Sequence, residues 1–111
     1  MVKLPPKVRD VIIELQKGLK ELYGDRFRGL LLYGSYARGT ADEGSDVDLL
    51  LLLEGPLNPA REVLHLQTVK WPLALESDLA LSVVPVDIKD FERADSIFLS
   101  IVRKEAIPTA A

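Results

Sequence analysis

A chain of 111 residues, 48% hydrophobic and 28% charged, has enough apolar side chains for one core and too few residues to divide, so disorder is excluded and a single domain over 1–111 is expected. Its net charge of −3 argues against a broad nucleic-acid-binding surface, and the absence of cysteine excludes a disulfide framework or a thiolate metal site. The opening MVKLPPKVRD contains no apolar signal segment and the run Leu49 to Leu53 is far too short to span a bilayer, so a soluble cytoplasmic protein is expected.

Pro5-Pro6 can start a helix but not continue one, and Val8, Val11, Ile12, Leu15, Leu19 and Leu22 then recur on one helical face. A helix from about Pro6 to Tyr23 is predicted, stopped by Gly24. Arg28 to Tyr33 is a short apolar run that suits a buried strand, broken by Gly34-Ser35. Ser35 to Arg38 has room for a turn or two of helix, Thr40 to Ser45 reads as loop, and Val47 to Leu53 as the next strand. The short connection makes these two strands antiparallel or loosely crossing neighbours. Asn58-Pro59 marks the cap and first position of a helix that Pro72 should end or kink near Trp71. Leu79 to Val86 is a third strand whose Pro85 favours an edge or the strand's last residues. Asp87 then caps a final helix with Phe91, Ala94, Phe98, Ile101 and Val102 on its apolar face and Arg103 and Lys104 in its last turn, and Ile107 to Ala111 reads as a frayed tail. The order predicts a small α/β (α+β) domain, a mixed sheet with flanking helices.

The chemistry concentrates in LLLYGSYARGTADEGSDVDLLLLL, Leu30 to Leu53. Asp46 and Asp48 are two apart at a strand start and so point to one face, where two unpaired carboxylates repel and raise a pKa unless a cation lies between them. Mg²⁺, which takes carboxylate oxygens together with substrate phosphates, resolves that conflict. Gly34 lets a phosphate approach the backbone, Ser35 offers a hydroxyl and an N–H, and Arg38 adds a charge one turn on. Taken singly, Gly-Ser is an ordinary turn, Asp-x-Asp a solvated strand end and Arg38 a surface residue. Only their coincidence between two buried strands points to a nucleotide triphosphate held against a metal.

Gly34-Ser35, ten intervening residues and Asp46-Val47-Asp48, with Ala37-Arg38-Gly39 and Ser45 between, resemble the signature of the DNA polymerase β-type nucleotidyltransferase superfamily. In particular the chain resembles its minimal members of bacteria and archaea, often encoded beside a HEPN-domain protein. That resemblance implies a nucleotidyltransferase fold, Mg²⁺ held by the catalytic Asp46 and Asp48, and ATP phosphates held by Gly34, Ser35, Arg38 and Ser45. It further implies transfer of a nucleotidyl group, commonly AMP, to a hydroxyl of a HEPN partner, making the chain an antitoxin. Active members usually add a third carboxylate from the next strand, and anchoring on FLSIVRKEAI puts Ser82 there, which is neither a good metal ligand nor a base. Asp78 has the right parity but lies ~13 Å along the strand, and Asp87 reads better as a cap.

Among the remaining residues, His65 reads as a surface or partner-facing residue, Trp71 as a packing anchor or, if exposed, an interface residue, Tyr33 as core, and Tyr36 as a neighbour of the nucleotide or a modifiable hydroxyl. The first function is Mg²⁺-dependent transfer to a partner protein. The alternative is a catalytically weakened module that neutralises its HEPN partner by contact, favoured by Ser82. A small-molecule acceptor finds no dedicated substrate domain. The sequence leaves self-association open.

Overall fold

In the computed structural model, residues 3–109 are described. Helix α1 runs from Pro6 to Tyr23 and buries Val8, Val11, Ile12, Leu15 and Leu19. A single 3-10 turn, Gly24 to Arg26, leads into strand β1, Phe27–Tyr33. A short helix α2, Gly34–Arg38, and a loop then deliver the chain to β2, Val47–Leu53. Helix α3 is Pro59–Ser77, β3 is Leu81–Asp87, α4 is Ile88–Arg93, α5 is Ile97–Glu105 and β4 is Ile107–Pro108.

The sheet has the order β3-β2-β1-β4, with β1 antiparallel to both β2 and β4 and β2 parallel to β3. It is therefore mixed, and Pro85 lies on an edge strand, where its missing N–H costs no ladder bond. β2 is the spine: Val47, Leu49, Leu51 and Leu53 face α1 and α3, while Leu50 and Leu52 face Leu99 and Val102 of α5. Alternation of the pleat thus gives one strand two cores, which is why its sequence is a continuous apolar run.

Three expectations are corrected. Helix α3 passes through Pro72 to Ser77 instead of ending near Trp71. The ring removes the backbone bond that residue 72 would have donated to Thr68, yet Leu66 and Val69 before it and Leu73 and Ala74 after it all pack on the same core. That shared burial keeps the turns on both sides of Pro72 helical. The single final helix is two: Asp87 caps α4 by accepting from the Lys89 N–H at 2.9 Å, the chain takes a left-handed step at Ala94 (φ 50°), and Ser96 caps α5 by accepting from Leu99 N–H at 3.0 Å. The break changes the buried face, so Leu99 and Val102 are buried whereas Phe98 and Ile101 are exposed. Finally, Ile107 and Pro108 form β4 rather than a frayed end, and Thr109 donates to the Leu30 carbonyl at 2.8 Å. Of the tail, Ala110 and Ala111 lie outside the described residues.

Candidate active site

The site gathers where β1 ends and β2 and β3 begin. β1 stops because Gly34 takes φ +77°, a conformation costly for residues with a Cβ. A Cβ there would also collide with the Asp48 carboxylate, whose Cγ would be only 3.0 Å away. Gly34 is thus required by the carboxylate behind it. α2 follows at once, closed by Gly39 in the left-handed conformation.

The loop from Thr40 is shaped by Asp42, whose Oδ1 accepts from the Gly44 N–H at 2.9 Å and from the Ser45 hydroxyl at 3.3 Å. The Ser45 hydroxyl also accepts from the Asp42 N–H at 2.9 Å, so its polar capacity is spent on the loop. The Val47 N–H donates to the Ala80 carbonyl at 2.8 Å, which ties the Asp46-Val47-Asp48 segment to the entry of β3. Asp46 is exposed and Asp48 half-buried. By strand parity Asp48 shares the α5 face with Leu50 and Leu52.

Burial, then the neighbouring Asp46 charge, push the Asp48 carboxyl above its ordinary range; Arg38 opposes this and Glu105 adds to it. The Tyr33 hydroxyl is raised by burial, then by Asp48 and Glu105. These two shifts locate Asp46, Asp48, Arg38, Glu105 and Tyr33 in one electrostatic neighbourhood. Glu105 is its centre: Oε1 accepts from the Gly34 N–H at 3.0 Å, and Arg38 Nη1 donates to Oε1 at 3.3 Å and Oε2 at 3.1 Å. An anion is therefore already seated between the Gly34 amide and the Arg38 guanidinium.

The Asp46 charge pushes the Asp48 carboxyl up, a conflict that a divalent cation between two hard carboxylates would relieve. Among the described residues no group of three or more His, Cys, Asp or Glu side chains converges on one point. Asp46 and Asp48 are the carboxylates that could hold such an ion together with phosphate oxygens. Ser82 stands in register beside Asp48 on the adjacent parallel strand. Asp78 is the left-handed C-cap of α3 (φ 59°) and Asp87 caps α4. A cleft of about 300 Å³ opens next to Asp46 and Ser82, walled by Trp71, Ala74 and Leu75 of α3.

Sequence reasoning brings Gly34, Ser35, Arg38, Asp46 and Asp48 to one end of the sheet, and the structure places them there. It missed Glu105, which is 71 residues from Gly34 and carries no local signal. Tyr36 is core, its hydroxyl donating to the Asp42 carbonyl at 3.4 Å, while Tyr33 packs, partly buried, against the Leu50, Leu52, Leu99 and Val102 core beside Asp48 and meets Phe98 edge-on at 5.7 Å. Trp71 is 57% exposed and anchors no core. His65 lies on the surface of α3, edge-on to Tyr23 at 5.3 Å.

A family model described as "Nucleotidyltransferase domain" matches residues 12–107. Over 48 residues the chain is 40% identical to a Methanocaldococcus jannaschii protein named "Putative protein adenylyltransferase MJ0141", covering 43% of this chain and 48% of that protein. The chain thus spans about half the length of that curated relative. Among solved structures, one described as a toxin-antitoxin with AMP-PNP matches at TM-score 0.59 and 20% identity, covering 93% of this chain and 73% of the other. A mutant toxin-antitoxin MntA-HpeT matches at TM-score 0.62 and 19% identity with the same coverage. At these identities the structural matches establish the fold.

Proposed function

The chain belongs to the nucleotidyltransferase domain family, and from that premise we propose that it is a Mg²⁺-dependent nucleotidyltransferase, a single domain over 1–111, moving AMP from ATP to a hydroxyl of a partner protein. The observation behind this reading is the juxtaposition of the Asp46–Asp48 carboxylate pair with an anion seat formed by the Gly34 N–H and Arg38. The seat accepts a charged oxygen, and the pair supplies hard ligands next to it. Gly34, Ser35 and Arg38 bind and orient the phosphates, with charge-assisted hydrogen bonds from Arg38. A Mg²⁺ on Asp46 and Asp48 would supply charge neutralisation at the phosphates. Ser45 helps through the loop, holding Asp46 in place by its bonds to Asp42.

AMP as the transferred group is supported by the relative's name, and ATP as donor by the neighbour with AMP-PNP. A toxin partner is supported by the toxin-antitoxin neighbours, and a HEPN protein by the Gly-Ser, Ala-Arg-Gly and Ser-Asp-x-Asp signature. A cytoplasmic location belongs to the same reading; no helix among the described residues is long and apolar enough to cross a membrane.

One observation favours a second reading. Ser82 in register with Asp48 leaves the third-carboxylate position without a ligand or base, as a module acting on its partner by contact would tolerate. The test is calorimetric titration of ATP, with and without Mg²⁺, into wild type and the Asp46→Asn/Asp48→Asn double variant, followed by incubation of each with the partner and α-labelled ATP. Metal-dependent binding and labelling lost in the double variant would support transfer. Neutralisation of the partner surviving in the double variant, without label, would support the contact module.

A further inference from the structure

We propose that Glu105 is a built-in competitor of the nucleotide: its carboxylate occupies the phosphate seat at Gly34 and Arg38, and Mg²⁺-bound triphosphate enters by displacing it. The inference rests on the nucleotide-binding reading above and adds to it a residue from the far end of the chain.

The geometry is that of an anion in an anion site. One carboxylate oxygen accepts from the Gly34 N–H and both lie within hydrogen-bond distance of Arg38 Nη1. These are the donors a phosphate oxygen needs, and one backbone N–H serves one well-placed acceptor at a time. Charge sharpens the conflict. Glu105 accepts from the Gly34 N–H, the Asp48 carboxylate lies against the same glycine, and Asp46 is two residues from Asp48, so the site is rich in negative charge before any phosphate arrives. A triphosphate and an ionised Glu105 repel each other at contact distance in a partly desolvated place, the Glu105 side chain being only 20% exposed.

Release needs no unfolding. Glu105 is the last residue of α5, and the backbone on both sides is fixed: the Ala106 N–H donates to the Val102 carbonyl at 2.8 Å, and Ile107 pairs with Leu32. A side-chain rotation frees the seat while the fold stays put. The exchange also discriminates. Free triphosphate meets three carboxylates, whereas triphosphate arriving with Mg²⁺ brings a cation that Asp46 and Asp48 welcome, so displacement is coupled to metal.

The test is calorimetric titration of MgATP, and separately of inorganic tripolyphosphate with Mg²⁺, into wild type and Glu105→Gln. Glutamine retains one acceptor oxygen for Gly34 and Arg38, exchanges the other for an NH2 group, and removes the charge. Both probes should bind the variant about five- to tenfold more tightly, the effect expected from deleting a like charge at the edge of a polar site. Equal or weaker binding overturns the proposal and makes Glu105 a positioning residue for Arg38. A second measurement needs no variant: in isotopically labelled wild type, the Glu105 side-chain carboxyl and the Gly34 amide should shift together as tripolyphosphate is added with Mg²⁺. A Glu105 carboxyl that does not move at saturation also overturns it. Binding without any difference between the proteins leaves the nucleotidyltransferase reading intact, whereas no binding to either protein removes both.

Discussion

At the scale of single residues, the site is a concentration of negative charge that the fold tolerates. Asp48 has its proton affinity raised in the native state, first by burial and then by Asp46, so ionisation at neutral pH works against the native state. The sign is therefore fixed: Asp48→Asn should stabilise the metal-free protein, by about 0.5–1 kcal/mol after allowance for its residual exposure, while weakening Mg²⁺ binding. Thermal melts with and without Mg²⁺ would check this, and a lower melting point for the metal-free variant would contradict it. Proton and metal compete for the same oxygens, so Mg²⁺ affinity should fall as pH drops through the raised carboxyl range, at higher pH than for an ordinary aspartate. Calorimetry at successively lower pH would show it as proton release on metal binding. Gly34→Ala combines a positive φ with a collision against Asp48 and should cost about 2 kcal/mol or more in denaturant unfolding, with loss of nucleotide binding.

Elements reveal where local rules yielded. Pro72 inside α3 is held by the core contacts of the turns around it, so its local penalty persists and is outweighed. Pro72→Ala should raise the melting temperature, by a stabilisation of about 1 kcal/mol or more. An unchanged or lower melting point would mean that the helix bends there to advantage. The break between α4 and α5 depends on Ser96 as a new N-cap, and Ser96→Ala should cost about 1 kcal/mol. The consequence reaches the site, because α5 presents Glu105 at its last residue and Phe98 against Tyr33. An uninterrupted helix would carry those two side chains along a different axis.

For the whole molecule, β2 joins the two cores, since its odd positions belong to the α1–α3 layer and its even positions to the α5 layer. Unfolding should therefore be a single cooperative transition, with calorimetric and van't Hoff enthalpies in agreement. Two separate transitions would refute the single-domain reading. Leu50, fully buried under α5, tests the smaller core: Leu50→Ala should cost about 2–5 kcal/mol.

What the sequence determined by itself is what short-range chemistry controls. Alternation and apolar runs placed β1 and β2 and their antiparallel pairing, helical spacing placed α1, and Gly34-Ser35 with Asp46 and Asp48 marked the site, because a turn glycine and two carboxylates two residues apart act locally. Tertiary structure decided what depends on distant partners. Which tyrosine faces the site turns on how α2 leaves β1, and continuation through Pro72 turns on burial against α1 and the sheet. The pairing of Ile107–Pro108 with β1, which positions Glu105 before it, joins segments far apart in the chain. The Glu105 carboxylate at the Gly34 amide is the clearest case: the two residues are 71 apart in the chain, and only the packing of α5 on the sheet brings them within 3.0 Å.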